Sequence, residues 1–181
     1  MIEIYYWQMV LAISALWILV RTVCWLKARR FDLKRELQLL LVYICIVVVV
    51  RFTFCPFGTV NGKIQPLLFD GEKIFPPWVN FKPFVYLFDY PTLKEALLNL
   101  IGNTAMFIPL GIVWPSVFKN LNTHGKIIAA GFGVSLTVEI LQLPFFGRST
   151  DIDDLILNTA GYLVGYGIYL LVKRLRRKKA C

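Results

Sequence analysis

Five stretches of apolar residues, each near the length that crosses a bilayer as a helix, constrain this chain more than any motif does. They run from about Tyr5 to Leu26, Leu37 to Phe54, Leu93 to Val117, Ile127 to Pro144 and Ile152 to Val172. About 20 residues rising 1.5 Å each span a hydrocarbon core of roughly 30 Å. With 57% hydrophobic residues and a mean hydropathy of +0.63, the chain is too apolar for an ordinary soluble domain. Hydrocarbon offers no partner to backbone polar groups, so runs of this kind fold as helices. The expectation is an all-α fold: a polytopic helical membrane protein with about five transmembrane helices, forming one integral membrane domain over residues 1–181. The first run has no basic region before it and no clean small-residue cleavage site, so it reads as a span and not as a removed signal peptide.

Charge then orients the bundle. Most of the net +9 lies in KARRFDLKR (residues 27–35) and KRLRRKK (residues 173–179), both abutting apolar ends. Positive residues in those places are orientation signals, which argues against nucleic acid as the partner. With the first basic loop cytoplasmic, five spans bring the Lys119–Lys126 turn and the basic tail to the same side. The N-terminus is then outside and the C-terminus inside, and Asp32 and Glu36 are the only acidic residues on the inner side. Tyr5, Tyr6, Trp7 and Trp25 read as interfacial anchors of the first span. Arg51, near the far end of the second, either snorkels to the headgroups or faces inward as a phosphate or carboxylate partner.

Cys24, Cys45, Cys55 and Cys181 are scattered, with no C-x-x-C, which supports neither a zinc site nor a disulfide framework. His124 is the one histidine, in the turn before the fourth span, so Ser-His-Asp and zinc-hydrolase schemes lack their base or ligand.

Residues 56–92 contain Pro56, Pro66, Pro76, Pro77, Pro83 and Pro91, too many for one continuous helix. The aromatics Phe69, Phe75, Trp78, Phe81, Phe84, Tyr86, Phe88 and Tyr90 make the segment less polar than a solvated loop. A structured extracytoplasmic loop, lying on the membrane or dipping into it, is expected. Asn80 either bridges backbone groups of this loop or contacts substrate.

Polar residues concentrate between Ser135 and Gly165. Ser135, Glu139 and Gln142 share a helix face at spacings of four and three. After the turn FFGRST, residues Asp151, Asp154 and Asn158 repeat the pattern at three and four. In the third span Asn99 and Asn103 are one turn apart, and Pro109 should kink that helix. At 1.5 Å per residue, Glu139 lies roughly 8 Å below Pro144, Asn158 roughly 6 Å below Asp154, and Asn103 ~13 Å into its helix. Spans three to five are joined by short turns and are expected to be neighbours, so these groups converge in the outer half of the bilayer. Intramembrane ionisable residues mark functional or structural polar sites. Part of the set has a plainer explanation. Ser149, Thr150 and Asp151 are N-cap types, and Asp153 and Asp154 suit a first helical turn. Asn103 suits helix–helix adhesion, and Gly161 and Gly165 suit close helix packing, with Gly167 nearby.

E-x-x-Q followed by GRSTDIDDLILNTAG, together with NFKPF at residues 80–84 and NTAMFIPLG at residues 103–111, resembles the VanZ-like family of bacterial membrane proteins. The resemblance covers residues 80–165 as a VanZ-like core. The family takes its name from a protein linked to teicoplanin resistance, which implies a cell-envelope setting and no particular reaction.

Three functions are compatible with these residues. In the first, the chain acts on an outer-leaflet amphiphile, a phospholipid or a lipid-linked cell-wall precursor. Glu139 is then the candidate general base or acid, with Asp154 as a second catalytic candidate. Asn80, Asn103, Gln142 and Asn158 orient the head, and Arg148 or Arg51 meets a phosphate. Asp151 and Asp154 are possible ligands of a divalent cation between them and that phosphate. No other cofactor is indicated. In the second, the same cluster binds a lipid or an antibiotic without turnover. The third, a lipid transporter, is disfavoured by the lack of an internal repeat.

Overall fold

The computed structural model describes residues 1–29, 31–55, 60–74, 79–84, 91–148 and 150–179. Its five long helices are α1 (Tyr6–Ala28), α2 (Leu33–Phe54), α3 (Leu93–Val117), α4 (His124–Gln142) and α5 (Ile152–Lys179), all long and apolar enough to cross a membrane. Among the described residues four short strands accompany them: β1 (Ile2–Ile4) pairs antiparallel with β2 (Leu67–Phe69), and β3 (Val79–Asn80) pairs parallel with β4 (Thr150–Asp151). The expected Pro56, Pro76, Pro77, Phe75, Trp78, Tyr86, Phe88, Tyr90, Ser149 and Cys181 features lie outside the described residues.

Side-chain caps explain where three helices begin. The Asp32 carboxylate accepts from Arg35 N at 3.2 Å, Thr92 Oγ1 from Glu95 N at 3.2 Å, and Thr123 Oγ1 from Lys126 N at 3.3 Å. The Asp32 and Thr123 caps start α2 and α4 three or four residues earlier than hydropathy predicts, so His124 is the first residue of α4 and not part of a turn. Helix α5 runs on through the basic tail to Lys179, because Lys and Arg are good helix formers and favour the negative end of the dipole. Helix α3 stays continuous past Pro109 and Pro115.

Contacts between the helices define an up-and-down bundle. Ser14 Oγ meets Tyr43 Oη at 2.7 Å, and Arg21 pairs with Glu36, joining α1 to α2. Arg35, early in α2, donates to the Val117 carbonyl at the end of α3. Tyr166 Oη, at the middle of α5, meets Nδ1 of His124, the first residue of α4, at 2.8 Å. The basic segments therefore gather at one end of the bundle and the Ser135–Asp154 polar groups at the other.

The α3–α5 pair is the centre of the packing, with α4 against α5 and α2 against α3. Glycines allow the α3–α5 approach. A Cβ at Gly161 would collide with the Thr104 carbonyl oxygen, one at Gly165 with that of Ile108, and one at Gly111 with that of Tyr162. A Cβ at Gly131 of α4 would strike the Tyr162 ring, and one at Gly167 would meet nothing. This is the small-residue packing that association in lipid relies on. Phe107, Leu110, Val138 and Tyr162 fill the core, whereas α1 buries no residue and lies along the outside of α2.

Candidate functional site

The end of α4, the α4–α5 turn and the start of α5 form one polar cluster. Glu139 is 2% exposed, and its Oε2 accepts the backbone N–H of Asp151 at 3.2 Å. Thr150 Oγ1 donates to the Glu139 carbonyl at 2.8 Å. One residue of α4 thus holds the turn by both side chain and backbone. Ser135, fully buried one turn earlier, donates to the Leu155 carbonyl at 3.4 Å.

Each aspartate of the turn has a protein partner. Asp151 Oδ1 accepts the Asp153 N–H at 2.9 Å, which is an N-cap for α5. Both Asp151 carboxylate oxygens also accept from Asn80 Nδ2 at 3.2 Å. Asn80 Oδ1 accepts the Lys82 N–H at 3.0 Å, so this amide serves its own turn and the aspartate together. The parallel β3–β4 pair brings Asn80 opposite Asp151. The Asp153 carboxylate accepts the Phe84 N–H at 2.9 Å, where Phe84 has a φ of 63°. Asp154 accepts from Asn103 Nδ2 across the α3–α5 interface, and Asn103 is also within 3.4 Å of Asn99 Oδ1.

The second helix completes the cluster. Gln142 Nε2 donates to the Thr53 carbonyl at 2.6 Å, and Arg148 Nη2 to the Phe54 carbonyl at 3.0 Å. Burial pushes the Arg148 guanidinium below its ordinary pKa, with Cys55 and Asp154 opposing that shift. Arg51 stands over the Tyr6 ring at 5.8 Å from its centroid, beside Cys55, in the manner of a cation at an aromatic belt. Asn158 is 1% exposed, and its Oδ1 and the Gln142 Oε1 are buried without a hydrogen-bond partner among the described residues.

Glu139, Gln142, Arg148, Asp151, Asp154, Asn80 and Asn103 are thereby joined into one region, with Asn158 one turn further along α5. Electrostatically, Glu139 is within reach of Asp151 and Asp154, and Arg148 is the cation beside Asp154. Among the described residues no group of three or more His, Cys, Asp or Glu converges as a metal centre. Asp151 and Asp154 already accept amide donors, from Asn80 and Asn103 respectively. What sequence reasoning missed are backbone partners: the Thr53 and Phe54 carbonyls and the Phe84 N–H. No side-chain pattern announces these, because every residue carries the same backbone groups.

Fold and site together define the class: a polytopic helical membrane protein whose α4–α5 turn closes over a buried carboxylate–amide cluster. Residues 40–173 match the VanZ/LLP1 family model, well over half of the chain, and the chain belongs to that family. The match takes in most of α2, whose end receives Gln142 and Arg148. Over 102 residues the chain is 38% identical to protein VanZ of Enterococcus faecium, covering 56% of this chain and 58% of that protein. Over 105 residues it is 29% identical to the uncharacterized membrane protein YwnJ of Bacillus subtilis (strain 168), covering 58% of this chain and 72% of that one. The chain thus matches less than two thirds of the length of protein VanZ. No solved structure matches it.

Proposed function

We propose that the chain binds and chemically acts on the polar head of a cell-envelope amphiphile, and that this contributes to resistance to teicoplanin-type glycopeptides. The site is the α4–α5 end of the bundle, in the outer leaflet, with the N-terminus outside and the basic ends cytoplasmic as the charge distribution favours. One observation carries the reading. Glu139 is buried and flanked by Asp151 and Asp154, Arg148 is the cation beside Asp154, and among the described residues Gln142 Oε1 and Asn158 Oδ1 are buried acceptors with no donor. Buried acceptors without donors are costly, and a cluster that only braced the bundle gains nothing from them. A head bearing hydroxyl or amine groups supplies the missing donors, and a phosphate on the same head would meet Arg148. Glu139 is then the base or acid, Gln142 and Asn158 orient the head, and Asn103 positions Asp154.

A second reading, binding without turnover, is favoured by the engagement of Asp151, Asp153 and Asp154 with protein donors, which leaves Glu139 as the main reactive candidate. The envelope setting rests on the likeness to protein VanZ. The test compares cells with the chain, with its Glu139→Gln variant and without it, measuring extracted lipids and teicoplanin susceptibility. A lipid species that changes with the chain and reverts in the Gln variant supports turnover. Altered susceptibility with unchanged lipids supports a binder. A fully active Gln variant removes Glu139 from the chemistry.

A further inference from the structure

At the opposite end of the bundle, about 28 Å along α5 from Asp154, the structure has a second feature that the carboxylate cluster does not use. A cavity of about 640 Å³ opens between α2, α3 and α5. Its apolar walls are Leu41 from α2, Val113 from α3 and Val172 from α5, of which Leu41 and Val172 are exposed at the helix surface. Its mouth carries Lys173, Arg176 and Arg177, three cations within five residues of one helix. Ser116 lines this cavity and also a neighbouring one of about 610 Å³, to which Lys34, Arg35 and Lys119 contribute. Asp32 is the acidic residue there, and its carboxylate is occupied as the α2 cap.

We infer that this groove is a binding site for an anionic phospholipid, with an acyl chain lying between α2, α3 and α5 and the phosphate among Lys173, Arg176 and Arg177. Two features select this occupant. The apolar walls belong to helices that cross the membrane, so acyl chains are the medium that reaches them. The mouth is cationic, and basic pockets between transmembrane helices select anionic heads over zwitterionic ones. A free phosphate ion would use the mouth and leave the apolar walls unfilled. The lysine and arginine stems also extend the apolar wall toward the headgroup level. The site is independent of the proposed chemistry at Glu139, since no residue is shared between them.

The test uses the full chain in detergent, titrated with phosphatidylglycerol or phosphatidylcholine and read by native mass spectrometry. Phosphatidylglycerol is expected to stay bound where phosphatidylcholine does not. Removing two mouth cations with Arg176→Gln/Arg177→Gln is expected to weaken phosphatidylglycerol roughly 30-fold, at about fivefold per cation. Arg174→Gln/Lys178→Gln removes the same charge from the same helix end outside the cavity, and is expected to change affinity less than about twofold, as screened exposed charges do. Val113→Trp, which fills the groove, is expected to abolish retention while the melting temperature shows the chain still folded. Equal losses in the two charge variants would reduce the effect to bulk attraction and overturn the site. Retention of phosphatidylcholine as strong as that of phosphatidylglycerol would overturn its charge selection. Displacement of the lipid by equimolar glycerol phosphate would overturn the role of the groove.

Discussion

The Glu139 carboxylate accepts the N–H of Asp151, so an acid in the last turn of α4 fixes the residue that caps α5. The same bond serves the architecture and holds a carboxylate in a buried place. Two substitutions separate these roles. Glu139→Gln keeps an acceptor oxygen for the Asp151 N–H and is expected to fold and melt like the parent. Its expected defect is loss of the lipid or susceptibility phenotype. Glu139→Ala leaves that buried N–H unpaired and is expected to cost about 1–3 kcal/mol. Melting in detergent and teicoplanin susceptibility, measured on both variants, check the pair. A Gln variant that melts well below the parent would make the carboxylate chiefly structural.

Asn103 and Asp154 couple α3 to α5 within the apolar interior. Asn103→Ala and Asp154→Ala are each expected to destabilise. In a double-mutant cycle by melting, they should couple by about 1 kcal/mol, the scale of interhelical hydrogen bonds in membranes. Strict additivity would mean that the two side chains do not act as a pair.

Gly161 has no room for a side chain, since a Cβ there would collide with the Thr104 backbone, whereas a Cβ at Gly167 meets nothing within 4 Å. Overpacking a tight interface costs about 1–3 kcal/mol for small additions. Gly161→Ala is expected to lose at least that much and Gly161→Leu to fold poorly. Gly167→Leu is expected to express and melt near the parent. Size-exclusion profiles and melting temperatures of the four proteins, parent included, decide it.

Orientation is checked chemically. In a background without the native cysteines, Glu72→Cys is expected to react with an impermeant thiol reagent added outside intact cells, and Asn122→Cys is expected not to. Both positions are exposed, one between β2 and β3 and the other before α4. Labelling of Asn122→Cys alone would place the carboxylate cluster in the cytoplasmic half.

Hydropathy and spacing alone determined the five helices, their order and the helical stripes of polar residues. Their physical cause is local: a backbone in hydrocarbon must bond to itself, and residues three or four apart share a face. The Gly161/Gly165 face was legible for the same reason, and so were Asp151 as a cap and Asp153 and Asp154 in a first turn. Only the tertiary structure decided which helices are central and which groups meet. It placed α5 between α3 and α4 and brought Asn80 from a distant loop to Asp151. It also spent Gln142 and Arg148 on the Thr53 and Phe54 carbonyls. These three partnerships join residues 71 to 94 positions apart, and two of them use backbone oxygens that every residue carries. A pattern of side chains specifies which groups need partners, but the partner is chosen by whatever polar atom the packed helices bring within reach.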